Sequence, residues 1–130
     1  VSALDLDVAA LQAGEEAARA LGIPKEILGW RVGKVEEMRE AADTVLMNPP
    51  FGAQRRHADR PFHVTALACA PVVYTLVNAE SKDWVERFYV GAGARITASW
   101  MYDFALPAQY VWHEKPRAHI EVAALRAVRA

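Results

Sequence analysis

The sequence predicts an α/β fold built on a mostly parallel sheet that closes with a C-terminal antiparallel hairpin. Three observations predict it. Short apolar, β-branched runs alternate with helix-like segments over most of the chain, the pattern of parallel strands joined by crossover helices. The last two strand-like runs, Arg95–Tyr102 and His119–Val128, follow each other with no helix between them, so one must run antiparallel. The apolar run Thr44–Met47 stops at Asn48-Pro49-Pro50-Phe51-Gly52, and two prolines in succession cannot donate ladder hydrogen bonds, so the chain leaves the sheet there stiffly. The carboxyl end of a strand is where open α/β sheets place ligands.

Each element has a local cause. Val1–Asp7 reads as a strand entering a turn, and Asp7 caps a helix reaching about Leu21, with Val8, Leu11, Ala18 and Leu21 roughly on one face. Gly22 and Pro24 stop that helix in the expected C-terminal order. Trp30–Val35 is a weaker strand, separated by the charged stretch Glu36–Glu40 from the strand Thr44–Met47. Asp59 is placed to cap a helix with Pro61 in its first turn, ending before Pro71. Val72–Val77 is a buried strand. Ser81 caps an amphipathic helix whose Trp84, Val85, Phe88 and Tyr89 share a face, closed by Gly91 and Gly93. Between the two final strands lies Asp103–Ala118, an aromatic and basic connection.

The 130 residues suffice for one domain with a real core, and 53% hydrophobic content excludes a disordered chain. A net charge of −1 leaves no global footprint for nucleic acid, so any such contact is local. The single cysteine, Cys69, in an apolar helix-like run, reads as a small core residue in a reducing, cytoplasmic compartment. No Cys/His spacing resembles a zinc site, so no resident metal is expected. The longest apolar run, Val64–Val77, is too short to span a bilayer and is broken by Pro71, so no membrane is expected.

The Asn48–Gly52 loop suits the holding of an amino group on a planar base. The Asn48 amide oxygen and the Pro49 carbonyl can each accept a hydrogen bond from an exocyclic NH2, and Phe51 offers a ring face. Accepting those bonds draws the nitrogen lone pair out of conjugation, which makes the nitrogen a better nucleophile without an ionised base. An isolated Asn-Pro-Pro also reads as a strand-ending turn. The apolar strand before it and the aromatic and glycine after it favour the base-holding reading.

Asp43 through Gly52 resembles the catalytic strand and loop of the small ribosomal-RNA adenine-N6 methyltransferases of archaea and eukaryotes, the methyltransferase-like 5 type. Leu106-Pro107-Ala108, Tyr110, His113, Ile120-Glu121-Val122 and Leu125-Arg126 resemble that family's C-terminal hairpin, and the similarity runs from Asp5 onward. The loop alone is shared with DNA adenine and protein-glutamine methyltransferases; the C-terminal segment narrows the choice. The resemblance implies a Rossmann-like class I methyltransferase fold, S-adenosylmethionine as cofactor, and an exposed or flipped adenine in RNA, ribosomal RNA foremost, as substrate. It implies that Asn48, Pro49, Pro50 and Phe51 hold and stack the target adenine. It also implies that Asp5 accepts the cofactor's ribose hydroxyls, although a strand-end turn is the other reading of that aspartate. Arg55, Arg56, His57 and Arg60 would grip RNA phosphates, and Tyr110, Trp112, His113, Lys115 and Arg117 would form a second RNA-facing patch. A solvated charged face, and core packing of Tyr110 and Trp112, are the plainer readings of those two groups. His63 and His119 read as structural. The family also implies a small zinc-ribbon activator that adds a strand at the edge near Trp30–Val35.

Two departures from the family stand out. The Gly-rich turn that follows the family's first strand, against which the cofactor lies, has no counterpart here. The chain starts with Val1, already in a strand, so residues 1–130 read as a single, N-terminally incomplete methyltransferase domain. Where the family has an acidic residue near the cofactor's adenine, Lys34 stands here, leaving the Val35 backbone amide, or Glu36 after a register shift, to meet the ring. The rival readings are therefore a non-catalytic RNA-binding module or degenerate methyltransferase, and a protein-glutamine or DNA adenine enzyme.

Overall fold

The structure, a computed structural model, describes residues 1–50, 56–107 and 117–130, with backbone alone at 106–107 and 117–118. They form two compact units, Val1–Arg39 and Glu40–Ala130.

The first unit is a β-α-β motif. Strand β1 (Ser2–Asp5) pairs in parallel with β2 (Gly29–Val32), from Ser2 opposite Gly29 to Asp5 opposite Val32. Helix α1 (Val8–Ala20) connects them, and the Asp7 carboxylate accepts from the Ala9 amide at 2.9 Å as its cap. The helix stops at Gly22, whose φ of 74° lets its amide turn back to the Arg19 carbonyl while Ile23 reaches Ala18. The expected apolar face is only partly realised: Leu11 is buried, whereas Val8 and Leu21 are exposed. The strand expected over Trp30–Val35 ends earlier. After Val32, Gly33 donates to the Asp5 carbonyl at 3.0 Å, and Val35–Glu37 winds into a 3-10 turn.

The second unit is a four-stranded sheet in the order β3-β4-β6-β5. Strand β3 (Thr44–Met47) lies parallel to β4 (Val72–Asn78); β6 (Arg117–Arg129) lies antiparallel to both β4 and β5 (Ala94–Pro107). The terminal hairpin is longer than its hydrophobic pattern indicates, because β5 runs on to Pro107 and β6 starts at Arg117, within the stretch expected to be connection. One irregularity, between Ile96 and Ala98, shifts the β5 register.

Helices α2 (Arg60–Cys69) and α3 (Lys82–Gly91) cover one face of this sheet. Ala66, Leu67, Val85 and Tyr89 pack there on Val73 and Val77 of β4 and on Ala123, Leu125 and Ala127, alternate residues of β6; Thr75, between the two valines, is buried as well. On the opposite face Tyr74, Trp100, Tyr102 and Phe104 are exposed. Two expected caps are corrected. Ser81 makes no side-chain cap bond; a 3-10 turn over Ala79–Ser81 precedes α3, and the Asn78 side chain accepts from the Glu80 amide instead. Asp59 sits at the N-cap of α2 but makes no cap bond, since its carboxylate is turned elsewhere. Cys69, expected in the core, is half-buried at the end of α2.

Candidate active site

In the second unit, the Asn-Pro-Pro segment follows β3 where that strand's pairing with β4 ends, at Met47 opposite Thr75. Pro49 is buried and Asn48 and Pro50 are exposed, so the ring that stiffens the turn is anchored while the amide faces outward. Among the described residues no side chain or backbone group takes up the Asn48 amide. Phe51 and Arg55, both expected in the site, lie outside the described residues, as do Tyr110, Trp112, His113 and Lys115; of Arg117 the backbone alone is described, paired with Pro107.

The chain is described again from Arg56. It makes a tight turn in which His57 adopts φ 56° and its carbonyl accepts from the Arg60 amide at 3.1 Å. A left-handed conformation costs a non-glycine residue about 1–2 kcal/mol. The His57 ring is stacked on Trp84 of α3, with centroids 4.1 Å apart and planes inclined by 23°. Trp84 in turn stacks on Phe88 at 5.9 Å. Arg56 and Arg60 are exposed on this turn, and the His57 ring, expected beside them, is stacked on Trp84.

Beneath the turn lies a buried polar chain. Asp59 Oδ2 is 3.1 Å from His63 Nε2, and His63 Nδ1 is 2.9 Å from the Tyr89 hydroxyl. A carboxylate only accepts, so Nε2 carries the proton, Nδ1 holds a lone pair, and the Tyr89 hydroxyl donates to it. Burial pushes the His63 pKa below its ordinary value, against the upward pull of the Asp59 hydrogen bond and charge, and burial likewise raises that of Tyr89. His63 was expected to be structural, and Asp59 to be a cap. The i, i+4 spacing of an acid and a histidine on one helix was the signal for their pairing. Trp84 was expected on the core face of its helix, and nothing in the spacing announced His57 as its partner.

The first unit holds the other expected site residues. Asp5 ends β1 with its carboxylate exposed; Oδ1 accepts from the Asp7 amide at 2.9 Å. One oxygen thus serves the turn, and the carboxylate's remaining acceptor capacity is open to hydroxyl groups. Val35 is the first residue of its 3-10 turn, so its amide has no intrahelical carbonyl to pair with. Lys34, Gly33 and Glu37 line a small cleft with Leu4, Arg31, Val32 and Met38. An exposed carboxylate at one strand end and an orphan amide after the next suit the ribose and adenine of a nucleoside cofactor. Among the described residues, none supplies a Gly-rich turn for the remainder of such a molecule. No group of three metal ligands occurs among the described residues, and no described helix is long and apolar enough to cross a membrane.

No protein-family model matches the chain. The chain is 32% identical to an uncharacterised protein of Methanocaldococcus jannaschii over 95% of its own length and 60% of that protein. It is 31% identical to the methyltransferase-like 5 protein of Danio rerio, named an rRNA N(6)-adenosine-methyltransferase, over 65% of the chain and 42% of that protein. The chain thus spans less than two thirds of the length of each of these relatives. Among solved structures, a proposed RNA methyltransferase of Pyrococcus horikoshii superposes with a TM-score of 0.83 at 32% identity, over the whole chain and 63% of that protein. The magnesium protoporphyrin IX methyltransferase of Synechocystis, with S-adenosylmethionine bound, shares the fold alone: TM-score 0.72 at 12% identity, over 100% of the chain and 59% of that protein. The α/β architecture with its antiparallel terminal hairpin is the Rossmann-like class I methyltransferase fold, and the Danio rerio and Pyrococcus horikoshii proteins are named as methyltransferases.

Proposed function

We propose that this chain carries the base-holding part of an S-adenosylmethionine-dependent methyltransferase acting on the exocyclic N6 of adenine in RNA, with ribosomal RNA as the leading substrate. The observation that supports it most is the end of β3: a buried Pro49 that fixes the turn, beside an exposed Asn48 amide with no partner among the described residues. Asn48 Oδ1 and the Pro49 carbonyl accept the two N6 hydrogens, Phe51 stacks on the ring, and the nitrogen lone pair is turned outward. Bound S-adenosylmethionine supplies an electrophilic methyl group. Asp5 and the Val35 amide would hold its ribose and adenine. Catalysis is then mainly positioning, since no ionised base has to act first. Arg56 and Arg60, with Arg55, would hold phosphates beside the target; Tyr110, His113, Lys115 and Arg117 would extend that contact. β2, which pairs only with β1 among the described residues, is the edge where a small zinc-ribbon activator would add a strand.

The test is Asn48→Ala in the protein as its organism produces it, assayed for methyl transfer to adenine-containing RNA. Loss of turnover by about a hundredfold or more, the size typical for one preorganised hydrogen bond at a reacting group, with an unchanged melting temperature is expected. Unchanged turnover would overturn the assignment. Lys34, where the family has an acidic residue, favours a second reading, a module that binds RNA without the cofactor. Tight S-adenosylmethionine binding in solution excludes it.

A further inference from the structure

We propose that Asp59, His63 and Tyr89 form a hydrogen-bonded strut that fixes the exit of the base-holding loop, which makes them positioning residues for methyl transfer. The inference rests on the reading of Asn48–Phe51 as the base holder, and goes beyond it in saying what holds that loop in place.

Asp59 stands where a helix cap is expected, yet its side chain makes no cap bond and reaches one turn forward to His63 Nε2 at 3.1 Å. The cap is forgone in favour of a contact facing the interior. His63 is fully buried, and its other nitrogen accepts from Tyr89, also fully buried, at 2.9 Å. Tyr89 lies in the core cluster with Val85, Val73, Val77 and Leu125, so the strut ends in the unit's buried core. Its other end is the backbone at 57–59, just after the chain is described again at Arg56. The Asp59 carbonyl accepts from the amides of Phe62 and His63 at 3.0 and 3.3 Å, tying side chain and backbone of one residue to the same helix.

A second fastening comes from α3, the helix that carries Tyr89. Among the described residues His57 is the one non-glycine with positive φ, and it is held by stacking on Trp84 of α3. At the loop's entrance Pro49 is buried. The described chain is therefore anchored on either side of residues 51–55, and on the far side both anchors involve side chains of α3. Packing alone would not call for three polar groups here, because an apolar trio of similar volume commonly stabilises a core as well or better. A fully satisfied polar network does something apolar contacts do not: it admits one geometry. Backbone strain beside such a network is a recurrent mark of a functional site.

The experiment compares Tyr89→Phe, His63→Gln and His63→Leu with the natural protein, reading kcat, the KM for RNA, and amide hydrogen exchange at Arg60, Phe62 and His63. Phe keeps the ring and removes only the donor. Gln keeps one donor and one acceptor, whereas Leu keeps neither. Expected for Tyr89→Phe and His63→Leu is a kcat reduced about tenfold or more, a KM for RNA within about twofold, and faster exchange confined to the 57–63 turn, as loss of a transition-state-only interaction predicts. His63→Gln recovers most of the kcat. Wild-type kcat in Tyr89→Phe, or exchange that quickens equally throughout β4 and β6, would overturn the strut, the second outcome meaning that it only adds global stability. If the natural protein leaves RNA adenine unmethylated, the functional reading fails, and local exchange still decides whether the strut holds the turn.

Discussion

His57 keeps a left-handed backbone at φ 56° while its ring stacks on Trp84 at 4.1 Å, so a strained residue is held by a contact from a different helix. Glycine adopts that backbone without strain. His57→Gly therefore loses the stack but relieves the turn, and its unfolding free energy is expected within about 1 kcal/mol of the natural protein. Trp84→Ala loses the stack and keeps the strain. Because Trp84 is half-buried, a cost of about 2 kcal/mol is expected, below that of a fully buried tryptophan. Urea unfolding of both variants measures this; equal losses would mean that the stack does not offset the strain.

Acid should destabilise the second unit through His63. Burial holds its pKa below the ordinary 6.5, and the groups facing it are Asp59 on its own helix and Tyr89, with the rings of Trp84 and Phe88, from α3. The folded state binds fewer protons at this site than the unfolded chain does. The stability it contributes is complete above 6.5 and is lost as pH falls through the lowered folded value. Melting temperatures from pH 7.5 to 5 should fall more steeply for the natural protein than for His63→Gln, which has nothing to titrate there. Parallel curves would show that His63 stays neutral in both states or charges at no cost.

The order of elements was legible because it depends on period and punctuation. Asp7, Gly22, Pro71 and Gly93 mark boundaries that the structure keeps, and the direct succession of the last two strands announced the antiparallel hairpin. Less legible was anything set by partners distant in sequence. Asp59 looks like a cap because Asp before a helix usually is one; the His63 it turns to instead is buried and held at its other nitrogen by Tyr89, 26 positions further on. The early end of β2 has the same character. Val35 continues a β-branched pattern, but Gly33 turns back to the Asp5 carbonyl, a bond that period cannot show. The proposed base-holding role is a reading of five consecutive residues, whereas the Asp59–His63–Tyr89 contacts that follow them join partners that no local motif links.

Gly14→Ala should destabilise the first unit, although alanine is the better helix former. A Cβ at Gly14 would lie 2.8 Å from Cζ3 of Trp30, closer than atoms in contact allow. Trp30 sits mid-strand in β2 opposite Ala3, so its backbone has little freedom to retreat. The helix-propensity gain of about 1 kcal/mol is opposed by overpacking that typically costs 1–3 kcal/mol, and a net loss is expected in denaturant unfolding. Adding Trp30→Phe should restore part of it, since the smaller ring removes the atoms in conflict. A more stable Gly14→Ala protein would mean that the helix and the Trp30 ring separate easily.

The arginines on the exit turn give the RNA reading its most quantitative consequence. Arg56 and Arg60 are both exposed, four positions apart, one on the turn and one opening α2. With a net charge of −1, the chain as a whole does not attract a polyanion, so such attraction must come from groups like these. Each phosphate neutralised on single-stranded RNA adds about 0.7 to the steepness of log K against log salt. Replacing both arginines with alanine should flatten that slope by about 1.4 and weaken binding uniformly across RNA sequences, because phosphates carry no sequence information. Asn48→Ala should leave the slope unchanged while lowering the preference for adenine at the target. An unaltered slope in the arginine variant would identify Arg56 and Arg60 as a solvated face and move the RNA contact to other basic residues.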